Sequence, residues 1–88
     1  MTRVTVYQTP ACVQCMQSKK VLDKAAVPYD VVDLSQHPES MEMVKALGYT
    51  QAPVIVVTDK EGKTSHWSGF RLEKLNALVS KFEGAASA

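Results

Sequence analysis

Cys12 and Cys15, in the stretch Cys12-Val13-Gln14-Cys15, are the only two cysteines of an 88-residue chain, and their spacing is suited to a dithiol that opens and closes. Residues three apart inside a helix hold their Cβ atoms ~5–6 Å apart, against ~3.5–4.5 Å in a disulfide. Cys12 is therefore expected at the edge of a helix with non-helical backbone angles, and Cys15 within it. At that edge the Cys12 sulfur meets unpaired amide N–H groups and the positive end of the helix, which favours thiolate over thiol. The first-turn residues Val13, Gln14 and Met16 bring no carboxylate to oppose this. Cys12 is the expected nucleophile and Cys15 the resolving thiol. Thr9, Pro10, Val13 and Gln14 form the supporting loop, with Thr9 and Gln14 able to hydrogen-bond the thiolate.

Other uses of the two sulfurs fit less well. A zinc site recruiting His37 and His66 would need widely separated histidines instead of the close second pair of common structural sites, so no metal is expected. One bridge over so short a loop is a poor staple. Ten basic and nine acidic residues leave a net charge of +1, which gives no electrostatic reason to expect nucleic acid or an anionic membrane as a partner. No apolar run is long enough to cross a bilayer, and Met1 to Tyr7 lacks the pattern of a secretory signal. A cytoplasmic protein is expected, in a compartment where paired cysteines are more often catalytic or metal-binding than structural. Both histidines read as surface residues, and Lys19, Lys20 and Lys24 as a solvated face.

The elements that must position the dithiol follow from periodicity. Val4 and Val6 alternate with polar neighbours up to Thr9-Pro10, so a short strand feeds the cysteine loop. A helix is predicted over about 13–26, with Cys15, Ser18, Leu22 and Ala25 on its core stripe. Pro28 stops it, and 29–34 reads as a second strand, parallel to the first through a right-handed crossover. Pro38 opens a second helix that Gly48 ends, with Val44, Leu47 and a methionine turned to the core. Val54-Ile55-Val56-Val57 reads as a central strand covered on both faces. A turn at Asp59 to Gly62 returns the chain through Thr64 to Trp67 as an antiparallel partner. The last helix carries Leu72, Leu75, Leu78, Val79 and Phe82, and 84–88 reads as a flexible tail after a domain spanning 1–83.

This βαβαββα order, with CxxC after the first strand and Ala52-Pro53 before the third, resembles the α/β thioredoxin fold in its glutaredoxin-like form: a four-stranded mixed sheet flanked by three helices. Three segments resemble the NrdH-redoxin family in particular: Ala11 to Cys15, Ala46 to Val54 with its Gln51-Ala52-Pro53, and Trp67-Ser68-Gly69-Phe70-Arg71. The resemblance implies a monomeric thiol-disulfide oxidoreductase. It would take electrons from NADPH through the FAD of thioredoxin reductase and reduce the large subunit of class Ib ribonucleotide reductase, with no cofactor of its own beyond the Cys12–Cys15 couple. It also implies a cis Ala52-Pro53 bond. The Ala52 backbone would then face an extended substrate segment, with Gln51 and Pro53 beside it. Trp67 and Phe70 would supply an apolar docking surface, Ser68 and Gly69 would join them in binding the partner, and Arg71 would orient the loop or meet an acidic partner. Glutaredoxins usually carry paired glycines and an acidic residue where this chain has Ser68 to Glu73, which argues against a glutathione pocket. The alternatives are a glutathione-dependent glutaredoxin and a module sharing an iron–sulfur cluster through Cys12 and external thiols. Leu72 stands where family members commonly have proline, leaving the last helix without that ring's preset φ at its start.

Overall fold

The computed structural model describes residues 2–82 in full and carries the last helix to Ser87. The chain runs β1 (Arg3–Gln8), α1 (Val13–Lys24), β2 (Asp30–Asp33), α2 (Pro38–Ala46), β3 (Val54–Thr58), β4 (Thr64–Ser68) and α3 (Leu72–Ser87). The strands form one sheet in the order β2-β1-β3-β4, with β1 parallel to β2 and antiparallel to β3, and β3 antiparallel to β4. This is the βαβαββα order expected from the sequence. The tail expected over 84–88 lies outside the residues described in full.

The apolar run of β3 is explained by two cores. Ile55 and Val57 join Val4, Val6, Leu22, Trp67, Leu75 and Leu78 beneath α1 and α3. Val54 packs with Leu34 and Val44 on the opposite face, together with Val56, Tyr7, Met41 and Tyr49. A strand with apolar neighbours on both sides has no polar alternate positions to keep. On α1 the expected stripe is seen, with Cys15, Ser18 and Leu22 buried.

Helix ends account for the departures. Leu47 is 38% exposed and Leu72 47% exposed, where both were expected in the core. Leu47 is the C-cap of α2 and Leu72 the first residue of α3, so each lies where the helical stripe has already turned off the sheet. Lys19, expected in solvent, is half-buried and donates to Gln8 Oε1 at 2.6 Å.

Two helices end alike on different residues. After α2, Gly48 (φ 91) donates to Lys45 O and Tyr49 to Val44 O; after α1, Ala26 (φ 57) donates to Asp23 O and Val27 to Leu22 O. Both are Schellman closures whose left-handed residue is ordinarily glycine. An alanine there carries a penalty of ~1–2 kcal/mol, part of which the floppier unfolded chain of a glycine variant gives back. Ala26→Gly is expected to stabilise the protein by ~0.5–1 kcal/mol, read as a higher urea midpoint with unchanged slope.

At the β3–β4 turn, Asp59 Oδ1 accepts the Lys63 and Glu61 amides, each at 2.9 Å. The Lys63 amide foremost, then that of Glu61 and the nearby lysines, holds this exposed carboxyl below the usual carboxylate range. Folding thus lowers its pKa, so its stabilising contribution is present above the ordinary value near 3.8 and is lost as pH falls through the lower folded value. Asp59→Asn keeps an acceptor but does not titrate. It is expected to be less stable than the parent at neutral pH and to converge with it in acid, as measured by urea midpoints across that range.

Candidate functional site

Cys12 is the N-cap of α1, in extended conformation (φ −99°, ψ 106°), and its Sγ accepts the Cys15 amide at 3.1 Å while its carbonyl accepts that of Met16 at 3.2 Å. The residue before it, Ala11, has φ 57° and turns the chain from the end of β1 into this cap. Cys12 and Cys15 are joined as a disulfide with Cα atoms 5.2 Å apart. Cys12 is half-buried, whereas Cys15 is 1% exposed. One sulfur faces the surface at a helix N-terminus, and the other is held against the core.

Three segments distant in sequence meet here. Gly69 donates its amide to Pro53 O at 2.8 Å, and the Ser68 hydroxyl donates to Gln51 O at 2.7 Å. Phe70 donates its amide to Gln14 Oε1 at 2.9 Å. The loop after β4 is thereby tied both to the Ala52-Pro53 turn, whose peptide is cis, and to the first turn of α1. Glycine is favoured at the crossing: the φ of Gly69 is +83°, and a Cβ there would crowd Gln14 Oε1 at 3.3 Å.

The expected site residues sort as follows. Val13 is 67% exposed beside the dithiol, Pro10 and Gln51 are exposed, and Thr9, Ala52 and Ser68 are half-buried. Pro53 and Gly69 are buried. Gln14, expected to bond the thiolate, turns its carbonyl oxygen to Phe70. Of the two residues expected to form an apolar docking surface, Trp67 is corrected. Trp67 is 6% exposed and belongs to the core under α1 and α3, while Phe70 is half-buried and packed against that core. The pairing of Trp67 with Ile55 decides this, since Ile55 faces the same core and directly paired residues share a face. Arg71 pairs with the chain's own Glu73, whose carboxyl is held below the usual range first by its own backbone amide and then by Arg71. His37 caps α2 beside Glu39, and His66 Nδ1 shares a hydrogen bond of 2.7 Å with the Tyr49 hydroxyl.

Sequence reasoning missed a recess beside the Ala52-Pro53 turn. It has a volume of about 210 Å³ and is lined by Thr9, Met41, Lys45, Tyr49, Gln51 and Ala52 among others. Its signal, Met41 within α2 and Tyr49 just after Gly48, was ambiguous with simple core packing. Among the described residues no three His, Cys, Asp or Glu side chains are gathered as a metal-binding group, and no helix is long and apolar enough to cross a membrane.

A mixed sheet presenting a CxxC disulfide at the N-terminus of its first helix, beside a proline turn, defines a thiol-disulfide oxidoreductase of thioredoxin fold. The glutaredoxin family matches residues 4–61. The glutaredoxin-like protein NrdH of Escherichia coli K12 is 32% identical over 76 residues, covering 86% of this chain and 88% of that protein. That of Lactococcus lactis subsp. lactis is 36% identical over 76 residues, 86% and 99% of the two chains. The solved structure of the E. coli NrdH-redoxin, described for its thioredoxin-like activity profile, superposes with a TM-score of 0.74 at 32% identity over 86% of this chain and 93% of that one. The thioredoxin of Trichomonas vaginalis shares the fold, at 21% identity and a TM-score of 0.68 over 92% and 78% of the chains. The chain belongs to the glutaredoxin family and, within it, to the NrdH glutaredoxin-like redoxins.

The Gln14–Phe70 hydrogen bond links the cysteine loop to the loop after β4. Gln14→Ala removes an acceptor worth ~0.5–1.5 kcal/mol, so the Phe70 amide is expected to exchange with solvent about fivefold faster, with little change at core amides. Residue-resolved hydrogen exchange measures this.

Proposed function

We infer that the protein is a monomeric cytoplasmic electron carrier. It takes electrons from NADPH through the FAD of thioredoxin reductase and delivers them to the disulfide of the class Ib ribonucleotide reductase large subunit. The observation that carries the choice of reductase is the occupation of the 69–70 amides. Gly69 N–H is bonded to Pro53 O and Phe70 N–H to Gln14 Oε1, while Arg71 is paired with Glu73. A tripeptide thiol with two free carboxylates needs unpaired donors at such a turn, and the amides of 69 and 70 are already taken. The thioredoxin-like activity profile named for the E. coli relative supports the same reading.

In this reading reduced Cys12 attacks one sulfur of the substrate disulfide, and the other leaves as a thiolate that takes up a proton. Cys15 then attacks Cys12 Sγ, which closes the Cys12–Cys15 bond and expels the second substrate thiol with the Cys15 proton. The Cys15 amide, aimed at Cys12 Sγ from 3.1 Å, favours the thiolate that starts the sequence. A cysteine-bearing tail lies along Gln51, Ala52 and Pro53, with an apolar neighbour of its cysteine in the adjoining recess and Ser68 to Arg71 forming the far wall. Thr9, Pro10 and Val13 border its approach to Cys12.

Two measurements test the reading. The oxidised protein is expected to be reduced rapidly by NADPH with thioredoxin reductase and slowly by glutathione with its reductase, followed at the NADPH absorbance; fast turnover confined to the glutathione pair would overturn it. Cys15→Ser is expected to trap a mixed disulfide with the ribonucleotide reductase large subunit on non-reducing gels, and Cys12→Ser to trap none.

A further inference from the structure

Ser18 is the one buried polar residue among the described residues, at 0% exposure, and its Oγ has no hydrogen-bond partner among their atoms. It lies three residues after Cys15 on α1, so the two side chains share a face one turn apart, both closed off from solvent. A hydroxyl buried without a partner carries a penalty of ~1–3 kcal/mol, and an alanine would fit the same helical position without it. The serine is therefore unexplained by the oxidised structure. In that structure the Cys15 sulfur is bonded to Cys12. When the disulfide opens, Cys15 becomes a thiol inside the core that passes through negative charge as the bond breaks and re-forms, and no carboxylate, amine or imidazole among the described residues is buried beside it to meet that charge.

We propose that Ser18 is a positioning residue of the redox reaction: its hydroxyl is the hydrogen-bond partner of the Cys15 sulfur in the open dithiol. The step it serves is balanced. Two electrons and two protons convert the Cys12–Cys15 bond into two thiols, and Ser18 neither gains nor loses a proton overall. It donates to the Cys15 sulfur as that sulfur carries negative charge and accepts from it as S–H. The hydroxyl is unpaired in the oxidised form and paired in the reduced one, so it weights the couple toward the dithiol.

The inference takes from the proposed function only that the dithiol opens and closes, and its test needs neither reductase nor substrate, so its failure leaves the choice of partners untouched. Parent, Ser18→Ala and Ser18→Thr chains are equilibrated at about pH 7 with graded ratios of reduced and oxidised dithiothreitol. They are then quenched in acid and labelled with a maleimide, and the labelled fraction is read by mass. Ser18→Ala is expected to shift the equilibrium about fivefold toward the disulfide, ~20 mV more reducing. Ser18→Thr, which retains the hydroxyl, stays within twofold of the parent. An Ala variant within twofold of the parent, or a Thr variant displaced as far as Ala, overturns the proposal. A hydroxyl of merely structural value would change the unfolding of oxidised and reduced chains equally and leave this ratio unmoved.

Discussion

A helix must satisfy the amides of its first turn, and in this protein the atom that does so is sulfur. Cys12 Sγ stands where Ser, Thr, Asp or Asn oxygens usually stand and accepts the Cys15 amide at 3.1 Å. A thiol or disulfide sulfur is a weak acceptor, whereas a charged acceptor forms a far stronger bond. The contact that starts α1 is thus the same contact that favours charge on the attacking atom. The rest of the site is arranged around it. Ala11 takes a left-handed backbone angle so that Cys12 can be extended, and Cys15, one helical turn on, is carried into the core with Ser18 and Leu22.

The second requirement is a surface that holds its shape around a reactive sulfur. Strand β4 is at the edge of the sheet, and a loop leaving an edge strand is held by little backbone pairing. Two devices compensate. Trp67 is driven into the core one residue before the loop begins, and Ser68, Gly69 and Phe70 then each make a hydrogen bond to a different residue of the site. The burial of Trp67 removes it as a contact residue and makes it the anchor from which the contact loop is suspended.

Much of this was legible because it rests on local period and geometry. The apolar run of β3 marks a strand covered on both faces, Pro38 and Gly48 bracket α2, and the reach of two sulfurs three residues apart places Cys12 at a cap. What escaped depends on pairing over distance. Gln14 meets Phe70 across 56 residues of sequence, and nothing near Gln14 announces that partner. The direction of Trp67 follows from its register with Ile55; a slip of one residue would send it outward and His66 inward. Leu47 and Leu72 have the composition of core residues but sit at helix ends, where a continuous stripe no longer faces the sheet.

The hydrogen bond from Gln14 has a consequence for exchanging parts among redoxins. The dipeptide between two redox cysteines is commonly regarded as an interchangeable tuning element, but here half of it is a strut to another loop. Gln14 and the Ser68-Gly69-Phe70 turn form one transplantable unit: the Gln14 carbonyl oxygen packs closely over position 69, where a side chain would crowd it, and accepts the Phe70 amide from between the sulfurs. A chimera that moves one without the other leaves the Phe70 amide without its acceptor, so the cysteine loop and the turn that walls the site are inherited as a pair.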